Sequence, residues 1–448
     1  MRSRRNHELV LLAAAAAITA GAYALASLGR TASMPADLLP FFGVVLGLLL
    51  LAHVVLRRFA PLADPTILPV VALLNGIGYV FIARLASDIG DAESLPGQQA
   101  TWTAVGILAF TATLILVPRI KVLDKYRYLA AITGIVLLVL PLVPFIGREV
   151  NSARIWVRFG PINFQPGEFA KLALAVFVAS YLAEKREILQ EARFSAGPFS
   201  FPEPKHLAPV MVAWGASLVV MVAEKDLGSS LLLFLLVVVM LWVATARVTY
   251  LLTGVGLFLI GGWAASKQFG HVQDRLDIWL DPWADPDGVG FQPVEASFAL
   301  ANGGLTGTGP GRGEPYRIPE VETDFIFAAI GEELGLVGSV GILIAFTTIV
   351  TAGLRIAIGT RDSFGKLLAT ALSALLGIQA FIIIGGIVRI VPLTGITLPF
   401  VSYGGSSLVS NYVLVALLLR ISHDGATRPD SGSFVDEPSE PALSTRQL

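Results

Sequence analysis

The chain has 448 residues, 54% of them hydrophobic and only 15% charged, with a mean hydropathy of +0.72 and a formal net charge of −1. A soluble protein carries about 25% charged residues, so the composition excludes a soluble globular enzyme and marks an integral membrane protein. The near-zero charge gives no sign of a nucleic-acid partner, and the absence of cysteine means that no disulfide braces an exposed segment.

Apolar runs of about 17–25 residues recur along the chain, long enough to cross a hydrocarbon core of roughly 30 Å as helices. Helices are the default because backbone polar groups in lipid must be satisfied within the segment. The pattern predicts an all-α polytopic membrane protein with about twelve transmembrane helices, over 9–28, 38–56, 66–85, 101–117, 127–146, 167–183, 207–223, 227–245, 249–266, 324–352, 367–390 and 396–420. The first span follows Arg2, Arg4 and Arg5 and contains small-residue sites that a signal peptidase could cut, but 20 apolar residues are long for a secretory h-region, so it is expected to remain as a helix.

Orientation follows from lysine and arginine. With the N-terminus in the cytoplasm, most of the 32 basic residues fall on inner segments, among them Arg57, Arg58, Arg119, Lys121, Lys125, Arg361 and Lys366. The loop 86–100 has no basic residue and falls outside. Both termini are then cytoplasmic, and one long hydrophilic stretch, 267–322, faces the extracytoplasmic side. The inner loop 184–206 reads as a solvated connector or a docking segment. After Arg420 the chain is rich in Ser, Pro and Asp, and 422–448 is expected to be a disordered cytoplasmic tail.

Ionisable groups in or near membrane helices are costly and tend to face a cavity or a partner. Glu168 and Lys171 share a face at i and i+3, either as a local ion pair or as the lining of a groove. Asp226, just before an apolar run, suits a helix N-cap, and Glu224 beside it puts two carboxylates in one outer turn. Glu332 and Glu333 are adjacent on one helix, so at most one is expected to face any single cavity. Arg389 ends its span at the outer interface, placed to snorkel or to meet an anionic head group. In WLDPWADPDGVGFQ (279–292), Asp281, Asp285 and Asp287 alternate with Pro and Gly and read first as turn formers. GTGPGRG (307–313) lacks the ending and preceding strand of a phosphate loop. Gly404 and Gly405 allow close helix packing or close approach of a ligand.

Four blocks together resemble the SEDS family, which includes RodA, FtsW and SpoVE: NSARIWVRFGPINFQPGEFAKLAL (151–174), EKDLGSSLLL (224–233), LDPWADPDGVGFQ with ETDFIFAAIGEELGLVG, and PLTGITLPFVSYGGSS (392–407). The similarity runs from about residue 66 to 421 and is nearest to the actinobacterial RodA branch, with Arg389 before PLTG and EKDLG as its marks. Departures are Ser152 for Gly, Ile155 for Arg, Glu322 for His, and Ile383 and Arg389 where many members have Asn and Gly. The resemblance implies a ten-helix core over 66–421, preceded by a cytoplasmic tip and two extra helices over 1–65.

It also implies a peptidoglycan glycosyltransferase that polymerises lipid II outside the membrane, releases undecaprenyl diphosphate, and works with a class B penicillin-binding protein, the transpeptidase. By family correspondence Asp285 is the catalytic base. Arg154, Glu168, Lys171, Asp226 and Arg389 are implied to bind substrate, with Arg158 behind them. A divalent cation, Mg or Mn, would suit the leaving diphosphate, but no spacing in the sequence designates its ligands. The competing readings are a lipid II flippase, an FtsW-type division paralogue and a non-catalytic scaffold.

Overall fold

The computed structural model describes residues 2–35, 38–89, 94–150, 153–160, 162–190, 194–196, 199–201 and 204–427. Its helices are α1 (Arg2–Thr31), α2 (Leu38–Phe59), α3 (Ile67–Ala86), α4 (Leu95–Leu116), α5 (Lys121–Asp124), α6 (Arg127–Val139), α7 (Gly167–Gln190), α8 (Pro204–Ala223), α9 (Leu227–Thr245), α10 (Val248–Gln268), α11 (Gly270–Leu280), α12 (Phe291–Gly303), α13 (Ile326–Gly359), α14 (Ser363–Ile387) and α15 (Gly405–Thr427). Among the described residues, 10 helices are long and apolar enough to cross a membrane: α1–α4, α8–α10 and α13–α15. The remaining two predicted spans are also helical. The first is α6, which tightens into a 3-10 turn ending at Leu142, and the second is α7, whose Glu168, Lys171, Glu184 and Lys185 lower its hydropathy.

The centre of the bundle is α14 and α15. The first packs on α7, α9 and α13, and the second on α4, α7 and α13. Small residues set these distances, as expected where lipid gives no hydrophobic drive for association. A Cβ at Gly106 of α4 would lie 2.4 Å from the Tyr412 ring of α15, and one at Gly353 of α13 would lie 2.0 Å from Ser373 Oγ of α14. By contrast few residues of α8 and α10 are buried, and these helices lie at the edge of the bundle.

Three features depart from the sequence reading. Residues 391–404 form a strap of irregular backbone, so the last span begins at Gly405 rather than 396; Gly395 has a positive φ of 70° and Pro399 interrupts the apolar run. Residues 422–427 continue α15 because they are held: Ser422 Oγ and His423 Nδ1 accept from Asp64 N–H and Leu62 N–H at 3.0 and 3.2 Å. The rest of the expected tail, 428–448, lies outside the described residues. Third, α6 and α7 are joined through an antiparallel meander, β1 (Gly147–Val150), β2 (Ala153–Phe159) and β3 (Ile162–Phe164), with Arg148 opposite Trp156 and Val157 opposite Phe164. A short hairpin, β4 (Phe194–Ala196) and β5 (Phe199–Phe201), occupies part of the 184–206 loop.

The 267–322 stretch is folded, carrying α11 and α12 and ending in a glycine-rich segment that wraps the start of α13. That helix is broken at Gly335 (φ 65°, ψ −164°). The break frees backbone groups on both sides, and the wrapping segment takes them: Thr308 and Gly309 N–H donate to the Glu332 and Glu333 carbonyls, while Leu336 N–H donates to Gly304 O. Both carboxylates meet this one segment, while only Glu332 lines a cavity, as expected of adjacent residues on a helix. Glu333 accepts from Gly311 N–H and from Arg84 Nε at 2.8 and 3.0 Å, and Glu332 accepts from Glu314 N–H at 3.1 Å. Arg84 closes the assembly through Gly313 O at 2.8 Å and an ion pair with Asp88. GTGPGRG is thus a structural wrap, with glycines where α1 and α13 press on it: a Cβ at Gly311 would lie 2.1 Å from Ala26 O.

Arg84→Ala would leave Glu333 buried without its cation, a change that costs about 3–5 kcal/mol. The expected outcome is a lower unfolding temperature in detergent, with new proteolytic cuts between residues 304 and 314.

Candidate functional site

The DPWADPDGVG turn folds on itself. Asp281 caps a 3-10 turn over Pro282–Ala284 by accepting from Trp283 N–H at 3.1 Å. The Asp285 carbonyl accepts from Gly288 and Gly290 N–H, and its Oδ2 accepts from Val289 N–H at 3.2 Å. The carboxylate lies directly over Gly288, where a Cβ would be 2.1 Å from Oδ2. Asp285 is exposed, and Val289 N–H is the one hydrogen-bond partner of its side chain among the described residues. Its second oxygen is therefore open while the first is held by backbone. Of the three aspartates, Asp281 is a turn former and Asp287 is simply exposed.

A second, buried group lies within the same end of the bundle. Lys171 Nζ pairs with Glu168 Oε2 at 2.7 Å, both side chains being under 8% exposed. The same nitrogen donates to Gln379 Oε1 of α14 at 2.9 Å, and Gln379 Nε2 donates to Thr397 O of the strap at 2.8 Å. Thr397 Oγ1 reaches Ser407 Oγ at 2.9 Å, and Ser410 Oγ of α15 returns to Glu168 Oε2 at 3.1 Å. The pair is both the local ion pair and the hub of a network joining α7, α14, α15 and the strap. Asp226 is the expected N-cap, accepting from Ser229 N–H at 2.9 Å. Arg154 donates its backbone N–H to Glu224 O at 3.1 Å, so the meander rests on the α8–α9 turn; its side chain is partly buried and makes no ion pair among the described residues. Burial, reinforced by Asp226, pushes the Glu224 carboxyl up to about 8, so it is protonated at neutral pH.

Between these two groups lies a cavity of about 180 Å³, lined by Arg275, Val289, Asp324, Arg389, Gly395 and Ile396 among others. Val289 is the residue that holds Asp285, and Ile396 presses on Gly228, two residues beyond Asp226. Arg275 donates to Leu393 O at 2.8 Å, and a Cβ at Gly395 would be 3.4 Å from Asp324 Oδ2 and 3.7 Å from the Arg275 guanidinium. Arg389 is largely committed: it donates to the Trp279 and Leu280 carbonyls at 3.1 and 3.3 Å, closing the C-terminal end of α11. That is the favourable place for a cation against the helix dipole.

The structure thus brings Glu168 and Lys171 near Asp226, none of the three lining the cavity, and places Arg389 in the cavity. It leaves Asp285 at the rim, without contact to Glu168 or Lys171. Three residues went unremarked in the sequence: Arg275, Asp324 and Gln379. Gln379 was detectable as a polar residue in the middle of an apolar span. Arg275 carries no local signal, because its partner Leu393 is distant in sequence, whereas Asp324 interacts with its neighbours Thr323 and Glu320 as well as with Arg275. Among the described residues no group of three or more His, Cys, Asp or Glu is arranged to hold a metal, and Glu168 and Asp226 are already engaged by protein donors.

Residues 65–426 match the family model of the FtsW, RodA and SpoVE proteins, described as cell cycle proteins. The chain belongs to this family. It is 46% identical over 432 residues to the peptidoglycan glycosyltransferase RodA of Mycobacterium bovis, covering 95% of this chain and 92% of that one. The probable peptidoglycan glycosyltransferase FtsW of the same organism is 34% identical over 360 residues, covering 79% and 66%. The fold also matches a solved peptidoglycan synthase complex with a TM-score of 0.67 at 27% identity, over 82% of this chain and 99% of that chain. The helices α1 and α2 precede the stretch that matches the family.

Lys171→Met is expected to lower stability by about 3–5 kcal/mol, since it strands a buried carboxylate. Glu168→Gln/Lys171→Met should recover part of that loss, and a double-mutant cycle of unfolding free energies measures the coupling. A second outcome concerns pH. Burial, with Glu320 adding and Arg275 opposing, pushes the Asp324 carboxyl from 3.8 to about 6. The fold therefore favours its protonated form, and that stabilisation is present in acid and lost as pH rises from 3.8 to about 6. Against Asp324→Asn, the wild type should lose relative thermal stability across that interval and hold a constant difference above it.

Proposed function

We propose that this chain polymerises lipid II at the outer face of the membrane, with Asp285 as the base that activates the acceptor sugar. The activity class is peptidoglycan glycosyltransferase, in accord with the RodA relatives. One observation carries the assignment of the base: the Asp285 carboxylate is fixed through Oδ2 by Val289 N–H at the rim of a cavity holding Arg275 and Arg389, with its other oxygen open. A general base needs a fixed carboxylate within hydrogen-bond reach of the proton it takes.

The acceptor 4-hydroxyl attacks the anomeric carbon of the donor as Asp285 takes its proton, and the bond to undecaprenyl diphosphate breaks with the electron pair leaving on the phosphate oxygen. An α-linked donor gives a β-linked product by one inversion. The charge that develops on the diphosphate needs fixed cations. Arg275 faces the cavity and Arg154 makes no ion pair among the described residues, so these are the best placed. Lys171, neutralised by Glu168, acts by holding Gln379 and the strap. A divalent ion, if used, finds no preformed carboxylate cage among the described residues, and no step is assigned to it.

Charge placement favours this reading over a flippase. Among the described residues the buried Asp, Glu, Lys, Arg and His side chains fall at the two ends of the bundle: Arg5, Glu8, His53 and Arg420 at one, Arg84, Glu168, Lys171, Glu224, Glu332 and Glu333 at the other. A path for a charged head group through the thickness would need charged groups between them, and the buried polar residues there, such as Asn75 and Ser373, are neutral. With the lysine and arginine bias placing the 267–322 end outside, the termini are cytoplasmic and the chemistry acts on exported substrate. Identity to RodA over 95% of the chain supports a role in elongation, and the likeness to a peptidoglycan synthase complex supports a class B penicillin-binding protein as partner.

In purified protein given lipid II in detergent, Asp285→Asn should reduce glycan polymer by about 10²–10⁴-fold, the usual contribution of a positioned base. Gly288→Ala, which displaces the carboxylate, should do much the same with an unchanged unfolding temperature. Polymer at the wild-type rate from Asp285→Asn would sink the assignment.

A further inference from the structure

At the end opposite the 267–322 stretch, a recess of about 670 Å³ opens between three helix ends: the turn after α4 together with α5, the α13–α14 turn, and the last turn of α15. Its walls carry four cations, Arg119, Lys121, Lys125 and Arg361, and two carboxylates, Asp362 and Asp424. Both carboxylates have prior engagements. Asp362 caps α14 by accepting from Gly365 N–H at 3.1 Å and pairs with Lys121 at 3.1 Å, and Asp424 accepts from Ile120 N–H at 2.8 Å. Arg119 and Lys125 are exposed and make no ion pair among the described residues. The floor is apolar, with Ile120 and Ile421 buried.

Two independent markers set the depth of this recess. Tyr126 and Tyr128, both more than half exposed, follow Lys125 at the start of α6, where aromatic side chains gather at the membrane–water interface. Leu116 at the end of α4 and Ile358 near the end of α13 are 75% and 79% exposed, the surface that acyl chains cover. Cations at head-group level above an exposed aliphatic surface, on an apolar floor, are the arrangement that takes a phosphate carried on a lipid.

We propose that this recess is a binding site for an anionic phospholipid of the inner leaflet, one whose phosphodiester has no compensating amine, such as phosphatidylglycerol or cardiolipin. Its placement in the inner leaflet rests on the orientation argued above; the binding chemistry does not. The phosphate sits between Arg119 and Lys125, the glycerol over Ile120 and Ile421, and the acyl chains run down past Leu116 and Ile358. Occupancy ties the α4–α5 turn to the α13–α14 turn and the end of α15, and so fastens the two central helices at the end remote from the chemistry.

The test uses the full chain in neutral detergent micelles, titrated with phosphatidylglycerol, cardiolipin or phosphatidylcholine and read by native mass spectrometry and by thermal unfolding. The two anionic lipids should bind and raise the unfolding temperature, and phosphatidylcholine should do neither. A Lys or Arg near a phosphate surface is worth roughly fivefold, so Arg119→Gln/Lys125→Gln should weaken binding by about 30-fold. Arg57→Gln/Arg58→Gln, which removes two cations from the same end outside the recess, should leave it within about twofold. Equal losses from the two double variants, or equal binding of phosphatidylcholine, overturns the site. Inorganic pyrophosphate that competes as well as the lipids overturns the lipid as its occupant. If the double variant fails to fold, Lys125→Gln alone gives the same comparison at about fivefold. Binding is read without turnover, so the result stands apart from the fate of Asp285 as base.

Discussion

The organisation of the outer end depends on one constraint: the strap 391–404 is irregular backbone held among membrane-length helices, and every polar group it buries must be satisfied by protein. No helical ladder does this, so side chains do. Arg275 donates to Leu393 O, Gln379 to Thr397 O, and Ser402 Oγ accepts from Leu398 N–H while donating to Thr323 O. Tyr403 N–H reaches Glu322 O. The residues that close the strap are those that line the site, or lie one hydrogen bond from it. Lys171 can be held rigidly because Gln379 is itself held, and Gln379 because the strap has a carbonyl to offer. Polar residues that would be a burden in an apolar bundle are here mutually satisfied, the condition under which a buried polar network rigidifies its surroundings.

This also explains what was legible in the sequence. Hydropathy gave the spans, because the lipid requirement acts on each segment alone. It failed at 396–404, where ITLPFV is apolar enough to pass for the start of a helix although Gly395 and Pro399 forbid it. The strands β1–β3 were hidden for a related reason: they are short and sit between two membrane-length runs. The motif blocks found the right neighbourhoods, and Asp226 as N-cap and Asp281 as turn former could be read from local rules. Arg275 with Leu393, Lys171 with Gln379 and Arg84 with Glu333 could not, since each joins residues more than 100 positions apart and neither member announces the other. For Glu332 and Glu333 the one-face argument holds, since only Glu332 lines a cavity; the segment that wraps both of them was not legible.

The wrap has a second consequence. Gly29 and Ala26 of α1 press on Pro310 and Gly311, and Arg30 pairs with Asp88, which also pairs with Arg84. The helix pair α1–α2 lies outside the stretch that matches the family, yet α1 is packed against the same segment that Glu332 and Glu333 hold. An addition to the core has been fitted to the outer stretch that carries Asp285, rather than appended at its edge. The glycines of GTGPGRG are then needed for backbone-to-backbone approach, and no phosphate need be invoked for them.

Segregation of charge completes the argument about mechanism. Asp285, the base proposed above, stands on a self-supporting turn, while Arg275 and Arg389 line the cavity beside it. A substrate with a sugar in water and a tail in lipid has its diphosphate at the interface between them. The turn holds Asp285 exposed, fixed through one carboxylate oxygen and open at the other. The strap network holds Arg275 through Leu393 O and Lys171 through Gln379. In the mechanism proposed above, an exposed proton acceptor on its own turn and a separately held Arg275 let sugars be exchanged at every addition without disturbing the cation that meets the leaving group.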